Sequence, residues 1–198
     1  MMKIKNLTED STIYTSNVFL ITGTWNALSD VNTLIDVGRD VSILEKINNY
    51  STGVGKQKVE QVFLTHGHYD HAGIISTVKR EFDAKVYAYS QSVEGVDYLV
   101  RDGEKFKVGD SIFEIIYSPG HSSDSICLYC EEKKVLFAGD TPLIIKTVQG
   151  SYEFRFIKVL ERLLEKEIEV IYFGHGSPYV GNCREMLTRS LELCQMGN

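Results

Sequence analysis

The sequence predicts an α/β fold. Short runs rich in branched and aromatic residues, bounded by glycines and turn formers, dominate the first part of the chain; later runs alternate with segments whose apolar residues recur at helical spacing. The 198 residues, 43% apolar and 24% charged, suit an ordinary soluble globule built as one domain over residues 1–198. No apolar run reaches the ~18 residues that mark a membrane span. Met1 to Asp10 lack an apolar signal region, so a cytoplasmic protein without a membrane partner is expected.

Taken in order, Ile13-Tyr14-Thr15 and Asn17 to Thr22 read as strands. Gly23 to Asp30 is a loop carrying the single tryptophan, Trp25. Thr33 to Val37 is a strand ended by Gly38, and Asp40 reads as the N-cap of a helix through Ile43, Leu44 and Ile47. Gln61 to Leu64 is a short buried strand. Beyond it Ile74, Ile75, Val78 and Phe82 mark a helix that starts near Ala72. Lys85 to Ala88 returns to strand, and Gln91 to Val100 reads as a short helix.

Gly103 and Gly109 punctuate a hairpin region leading into the strand Ile112 to Tyr117, which Pro119-Gly120 stops. Ile126 to Tyr129 and Val135 to Ala138 form a hairpin across the charged turn Glu131 to Lys134. Pro142 to Gly150 is a loop. Phe154, Ile157, Leu160, Leu163 and Leu164 make an amphipathic helix. A strand, Ile168 to Phe173, and a helix with Leu187, Leu191 and Cys194 on one face complete the chain.

The chemistry is concentrated at strand ends. The run His66-Gly67-His68-Tyr69-Asp70-His71 follows one apolar strand; His121, Asp140 and His175 each follow another, beside glycine. All five histidines of the chain stand at these places. A lone histidine is more often a surface or core residue, but a whole set at glycine-bearing strand ends has the composition of a metal site. His66 and His68 are two apart, so an extended segment turns both rings to one side. The spacing divides the set between two ions: His66, His68 and His121 on one, Asp70, His71 and His175 on the other, Asp140 bridging. Three imidazoles leave an open position for water, as catalytic zinc needs. Asp70 and His71 also stand at the start of the predicted helix, whose dipole favours an ionised Asp and a neutral His.

Other functions fit less well. The net charge of −6, without a Lys/Arg cluster longer than Lys79-Arg80, argues against a nucleic-acid partner. Cys127 and Cys130 have redox-pair spacing, but they lie in a strand, where side chains three apart face opposite ways; a structural role is expected of them.

The motifs Thr65-His66-Gly67-His68-Tyr69-Asp70-His71, Pro119-Gly120-His121, Phe137-Ala138-Gly139-Asp140-Thr141 and Gly174-His175-Gly176, with Leu34-Ile35-Asp36-Val37-Gly38 upstream, resemble those of the metallo-β-lactamase-fold hydrolase superfamily, and within it the small glyoxalase-II-like hydrolases. The resemblance covers nearly the whole chain. It implies a four-layer αβ/βα sandwich with two mixed sheets packed face to face and the metals at one edge. It also implies a dinuclear centre of two divalent ions, usually Zn2+, sometimes Fe or Mn. The sequence departs from the pattern where Gly73 is followed by Ile74 rather than a second glycine, and where Ser122-Ser123-Asp124 follows His121. Asp124 reads as a turn residue. Glyoxalase II proper adds a C-terminal helical domain that binds glutathione; about one helix follows Gly181, so the resemblance does not extend to that substrate.

The reaction implied is cleavage of an ester, thioester, lactone or related bond in a small-molecule substrate by a bridging hydroxide, with Asp70 as the catalytic residue that orients it and passes on a proton. The alternative is a mononuclear non-haem iron oxidoreductase of the same fold that oxidises persulfides; a phosphodiesterase or nuclease ranks below both. Homo-oligomerisation is left open. The resemblance puts Trp25 over the metals, while packing within its own loop is the competing account. Asp36 and Ser122 are candidates to accept the second N–H of metal-bound histidines. Packing is the expected role of Tyr69, Tyr152, Phe154 and Tyr179.

Overall fold

A computed structural model of the chain describes residues 2–148 and 152–197. The first sheet runs in sequence order through β1 (Lys3–Asn6), β2 (Phe19–Thr22), β3 (Thr33–Ile35), β4 (Gln61–Phe63), β5 (Lys85–Ala88) and β6 (Tyr98–Leu99). Its first two pairings are antiparallel, and β3 to β6 are parallel. The second sheet holds β7 (Lys105–Val108), β8 (Ser111–Tyr117), β9 (Ile126–Cys130), β10 (Val135–Gly139), β11 (Val170–Phe173) and β12 (Tyr179–Val180). Only β10 and β11 are parallel there.

The four layers follow from strand alternation. Successive residues of β2 point to opposite faces. Leu20 joins a core with Ile43 and Ile47 of α1 (Ile43–Asn49) and with Ile75, Val78 and Phe82 of α3 (Ile75–Phe82). Phe19 and Ile21 join Ile35 and Phe63 in a middle core, against Phe113, Ile115, Leu128 and Phe137 of the second sheet. The outer face of that sheet, through Ile116, Leu136 and Ile171, meets α4 (Phe154–Leu164) and α5 (Cys183–Met196). Both faces of each sheet are therefore covered, which is why β2, β4, β9 and β10 are buried throughout rather than alternating. Cys127 and Cys130 are free, buried and in different cores, as strand alternation requires.

Several local expectations are corrected. Ile13 to Thr15 is not a strand. The segment is open backbone with Tyr14 69% exposed, and its neighbours Ser16 and Asn17 donate to Asp70 O and Gly174 O instead of a sheet. Gln91 to Val100 is not a helix: Gly95 has φ +94°, and Tyr98–Leu99 pairs with β5 as β6. The helix expected from Ala72 is two: a single turn, α2 (Tyr69–Ala72), and then α3, separated by Gly73 and Ile74. Asp70 and His71 thus lie on four helical residues, too few to sum to much of a macrodipole. Asp40 sits one turn before α1 and accepts the Ser42 N–H. The loop expected over residues 142–150 is irregular up to Val148; Gln149 and Gly150 lie outside the described residues.

Strand direction places the functional edge. β3 and β4 run parallel and end towards Asp36 and His66; β8, β10 and β11 share one direction and end towards His121, Asp140 and His175. β2 runs the other way, since Phe19 pairs Ile35 and Ile21 pairs Thr33. The loop after β2 therefore leaves from the opposite end of the sandwich. Trp25 is on it, 89% exposed, and does not overhang the predicted metal residues.

Candidate metal centre

The seven predicted residues converge at the edge where the two sheets meet. Three sets of donor atoms each lie within 4.8 Å of one another: His66, His68 and His121; Asp70, His71 and His175; and His66, His71 and Asp140. The first two are the trios that the spacing separates. Asp140 faces both, with its carboxylate oxygens 3.3 Å from His71 Nε2 and 3.5 Å from Nε2 of both His121 and His175.

A hydrogen-bonded frame holds the turn that carries four of these residues. Asp36 is buried and adopts φ +58°, a left-handed conformation that a short polar side chain tolerates. Its Oδ1 accepts the Thr65 N–H at 2.8 Å; its Oδ2 accepts the Thr65 hydroxyl at 2.9 Å and lies 2.8 Å from His71 Nδ1. That last contact fixes the ring of His71 with Nε2 towards the cluster. The amides of Val37 and Gly38 both donate to His71 O, and Ser16 N–H donates to Asp70 O. Ser122, the other candidate partner for a histidine, bonds Asp124 instead, in the turn expected of Asp124.

On the other sheet two glycines make room. Gly174 has no space for a side chain: a Cβ there would sit 2.2 Å from Asp140 Oδ1 and 2.6 Å from His71 Cε1. Gly139 has φ +52° and lies against Thr65, so the backbone before Asp140 approaches the first sheet closely. Asn17 secures the His175 loop by donating from Nδ2 to Phe173 O and Gly176 O, at 2.9 and 2.8 Å. Tyr14 stacks on the His175 ring at 5.2 Å. Nothing local in the sequence marks Asn17 or Tyr14, because these partners on the His175 loop are more than 150 residues away.

The electrostatics are those of a site waiting for positive charge. Nε2 of His66, His71 and His175 is buried without a hydrogen-bond partner. Asp70 Oδ2 is 3.0 Å from His175 Nε2, yet the pair lacks hydrogen-bond geometry. An unpaired buried polar atom costs about 1–3 kcal/mol, and three at one point fit donors arranged around a cation rather than around each other. Burial, with the neighbouring His71, pushes His66 down to about 4. Burial also opposes the charge on His71, but Asp36 and Asp140 outweigh it and hold that ring up at about 10. Burial raises Asp140, and the close approach and charge of His71 more than offset this, leaving it at about 2. His66 is therefore a neutral donor and Asp140 an ionised one at neutral pH, while a cation at His71 Nε2 would displace a proton.

An open cavity of about 490 Å³ adjoins the cluster, lined by His121, Asp140, Ile144, Phe173, His175 and Tyr179. Tyr69 is exposed with Arg39 over its ring, and Tyr152 packs near Phe156.

The sequence model of the metallo-beta-lactamase superfamily matches residues 12–93 and 89–175. The chain belongs to the metallo-beta-lactamase superfamily. A hydroxyacylglutathione hydrolase of Francisella tularensis subsp. novicida is 38% identical over 88 residues, which are 43% of this chain and 35% of that protein. An atrochrysone carboxyl ACP thioesterase of Paecilomyces divaricatus is 31% identical over 121 residues, 61% of this chain and 38% of that one. The chain thus spans a little over a third of either relative's length. A metallo-beta-lactamase family protein from Thermus thermophilus superposes with TM-score 0.70 at 19% identity, covering 98% of this chain and 79% of that one. The four-layer sandwich is thus the superfamily's fold. Among the described residues no helix is long and apolar enough to cross a membrane.

Proposed function

We propose that the chain is a metal-dependent hydrolase of a small ester, thioester or lactone. The observation that carries this reading is the convergence of three buried, unpartnered imidazole nitrogens with two carboxylates at one point. His66, His68 and His121 would hold one divalent ion, Asp70, His71 and His175 a second, with Asp140 between them. Zinc suits the nitrogen-rich first set, and iron or manganese are the alternatives. When bound, such ions supply Lewis acidity and an acidified water.

The chain's own residues do the rest. Asp70, 19% exposed at its side chain and at the mouth of the cluster, orients the nucleophile and carries a proton towards the leaving group. Asp36 keeps the His71 ring in place. Phe173, Ile144 and Tyr179 wall the cavity in which the acyl group lies. The two relatives support the bond type, one by the name hydroxyacylglutathione hydrolase and the other by the name thioesterase.

The test is metal analysis of the purified chain followed by a panel of thioesters, lactones, β-lactams and phosphodiesters. Two divalent ions per chain and turnover of thioesters or lactones are expected. One iron per chain with oxygen uptake on a persulfide would overturn the reading in favour of an oxidoreductase.

A further inference from the structure

The connection from β1 to β2 passes over the metal edge, because β2 runs away from that edge. Its base is fixed to the first sheet by bonds that involve no part of the cluster. Leu7 N–H donates to Val18 O at 2.8 Å, the Thr8 hydroxyl to Ser16 O at 2.9 Å, and Asn6 Nδ2 to Asn17 Oδ1 at 2.9 Å. From this base residues 14–17 reach both halves of the cluster. Asn17 grips the backbone on each side of His175: its N–H donates to Gly174 O at 2.6 Å, and its side-chain amide to Phe173 O and Gly176 O. Ser16 N–H donates to Asp70 O at 3.0 Å, and the Thr15 hydroxyl donates to the same oxygen at 3.4 Å. That hydroxyl also accepts the Arg39 N–H at 2.9 Å and packs on Gly38, in the turn whose amides bond His71 O. Tyr14 lies face to face with the His175 ring, 5.2 Å between centroids and 16° between planes.

These contacts serve one trio only. They hold Asp70, the turn behind His71, and His175; among the described residues none of them reaches His66, His68, His121 or Asp140. The trio also depends on them. The His71 ring is aimed by Asp36 at its Nδ1. Among the described residues the His175 ring has no acceptor of that kind, so the stacked face of Tyr14 and the backbone grip of Asn17 direct its Nε2. We propose that residues 14–17 form a strap that sets the affinity of the Asp70, His71 and His175 metal position alone, with Asn17 and Tyr14 as positioning residues. The strap thereby decides whether the chain holds one ion or two. The inference rests on the two-ion reading of the cluster and not on the reaction carried out there.

The test is a chelator-competition titration of the metal-stripped full chain with Zn2+, repeated with Co2+, whose absorption reports the ligand geometry at each position. Wild type is expected to take up two ions in two steps. His175→Ala should lose one of them, which marks the step belonging to its trio. Asn17→Ala should weaken that step about 10–100-fold, as loss of a ligand's outer support does. Tyr14→Leu should weaken it about two- to tenfold, the worth of an aromatic pair. In both variants the other step keeps its affinity and its Co2+ spectrum, which a merely structural role would not allow. Tyr14→Phe keeps the stacked ring and should titrate as wild type does. Tyr14 is exposed, so its two variants carry the test even where Asn17→Ala fails to fold. Equal weakening of both steps, no weakening of either, or a Tyr14→Phe chain that behaves as Tyr14→Leu would overturn the strap and leave the two-ion centre standing. A wild type that takes up a single ion overturns the two-ion centre, and the strap with it.

Discussion

The two sheets contribute to the candidate metal centre in different ways. The first supplies four of the seven residues from one connection, residues 66–71 after β4, held by backbone bonds from Ser16, Val37 and Gly38 and by the carboxylate of Asp36. The second supplies one residue from each of three strand ends, and His121, Asp140 and His175 come together only because β8, β10 and β11 are packed side by side. The first of these halves is thus close in sequence and framed from within the first sheet and its loops. The other half exists only while the second sheet is closed against the first, through rings such as Phe19, whose centroid lies 5.3 Å from those of Phe137 and Tyr172 in tilted and edge-on contacts. Chemistry assigned to the first half should be breakable by one atom; geometry in the second should respond to anything that opens the sandwich.

The largest effect is expected at Asp70. Asp70→Asn keeps the size of the side chain and the backbone bond to Ser16, and removes the charge. Loss of a positioned acid–base group lowers turnover by ~10²–10⁴-fold. Steady-state rates measured beside metal content decide the matter, because near-normal turnover at full metal content would remove Asp70 from the reaction.

The same division explains what could be read without coordinates. Four ligand-type residues within six positions, and three more each next to glycine after an apolar run, are local patterns, and both trios could be written down from spacing. The long buried strands and α4 were legible for the same reason: period and composition agree there. The failures have non-local causes. Ile13-Tyr14-Thr15 has the composition of a strand, but its neighbours' hydrogen bonds go to the metal turn and the His175 loop. β1, with alternating exposure, and the two-residue β12 are too short or too polar to announce themselves. The resemblance puts Trp25 over the metals, but the antiparallel run of β2 carries it to the far end. Asp36 is visible as a motif residue, yet that it accepts from His71, 35 positions away, is a fact of the parallel β3–β4 pairing.

A smaller effect should follow from removing that support. Asp36→Asn is the cleanest change, because Asn tolerates the same positive φ and preserves the fold. It takes one negative charge from behind His71 and leaves one oxygen to serve both Thr65 and the imidazole. Loss of such a partner costs about 10–100-fold in metal affinity. Chelator competition, with the melting temperature of the metal-free chain as control, reads this directly. Unchanged affinity would mean that the backbone bonds alone set the first half.

The smallest effect tests the second half from the far end. Asp110, in the β7–β8 turn, accepts the Thr24 N–H and hydroxyl from the loop after β2, at 2.9 and 2.6 Å, and so ties the two sheets at the pole opposite the metal cluster. Burial raises its carboxyl, but those bonds and the Ser111 hydroxyl outweigh it and hold it at about 2, below the ordinary 3.8. A carboxyl depressed in the folded chain adds stability above its unfolded value and loses it as the pH falls through the folded one. The melting-temperature gap between wild type and Asp110→Asn should therefore be full at pH 6, shrink between about pH 4 and 2, and be small throughout because the group is near solvent. A gap that stays constant over that range would show that the hydroxyl and amide contacts, rather than the charge, close this end. If metal affinity falls along with stability, the three strand-end residues depend on closure of the whole sandwich; if only stability falls, the packed rings between the sheets suffice to hold them.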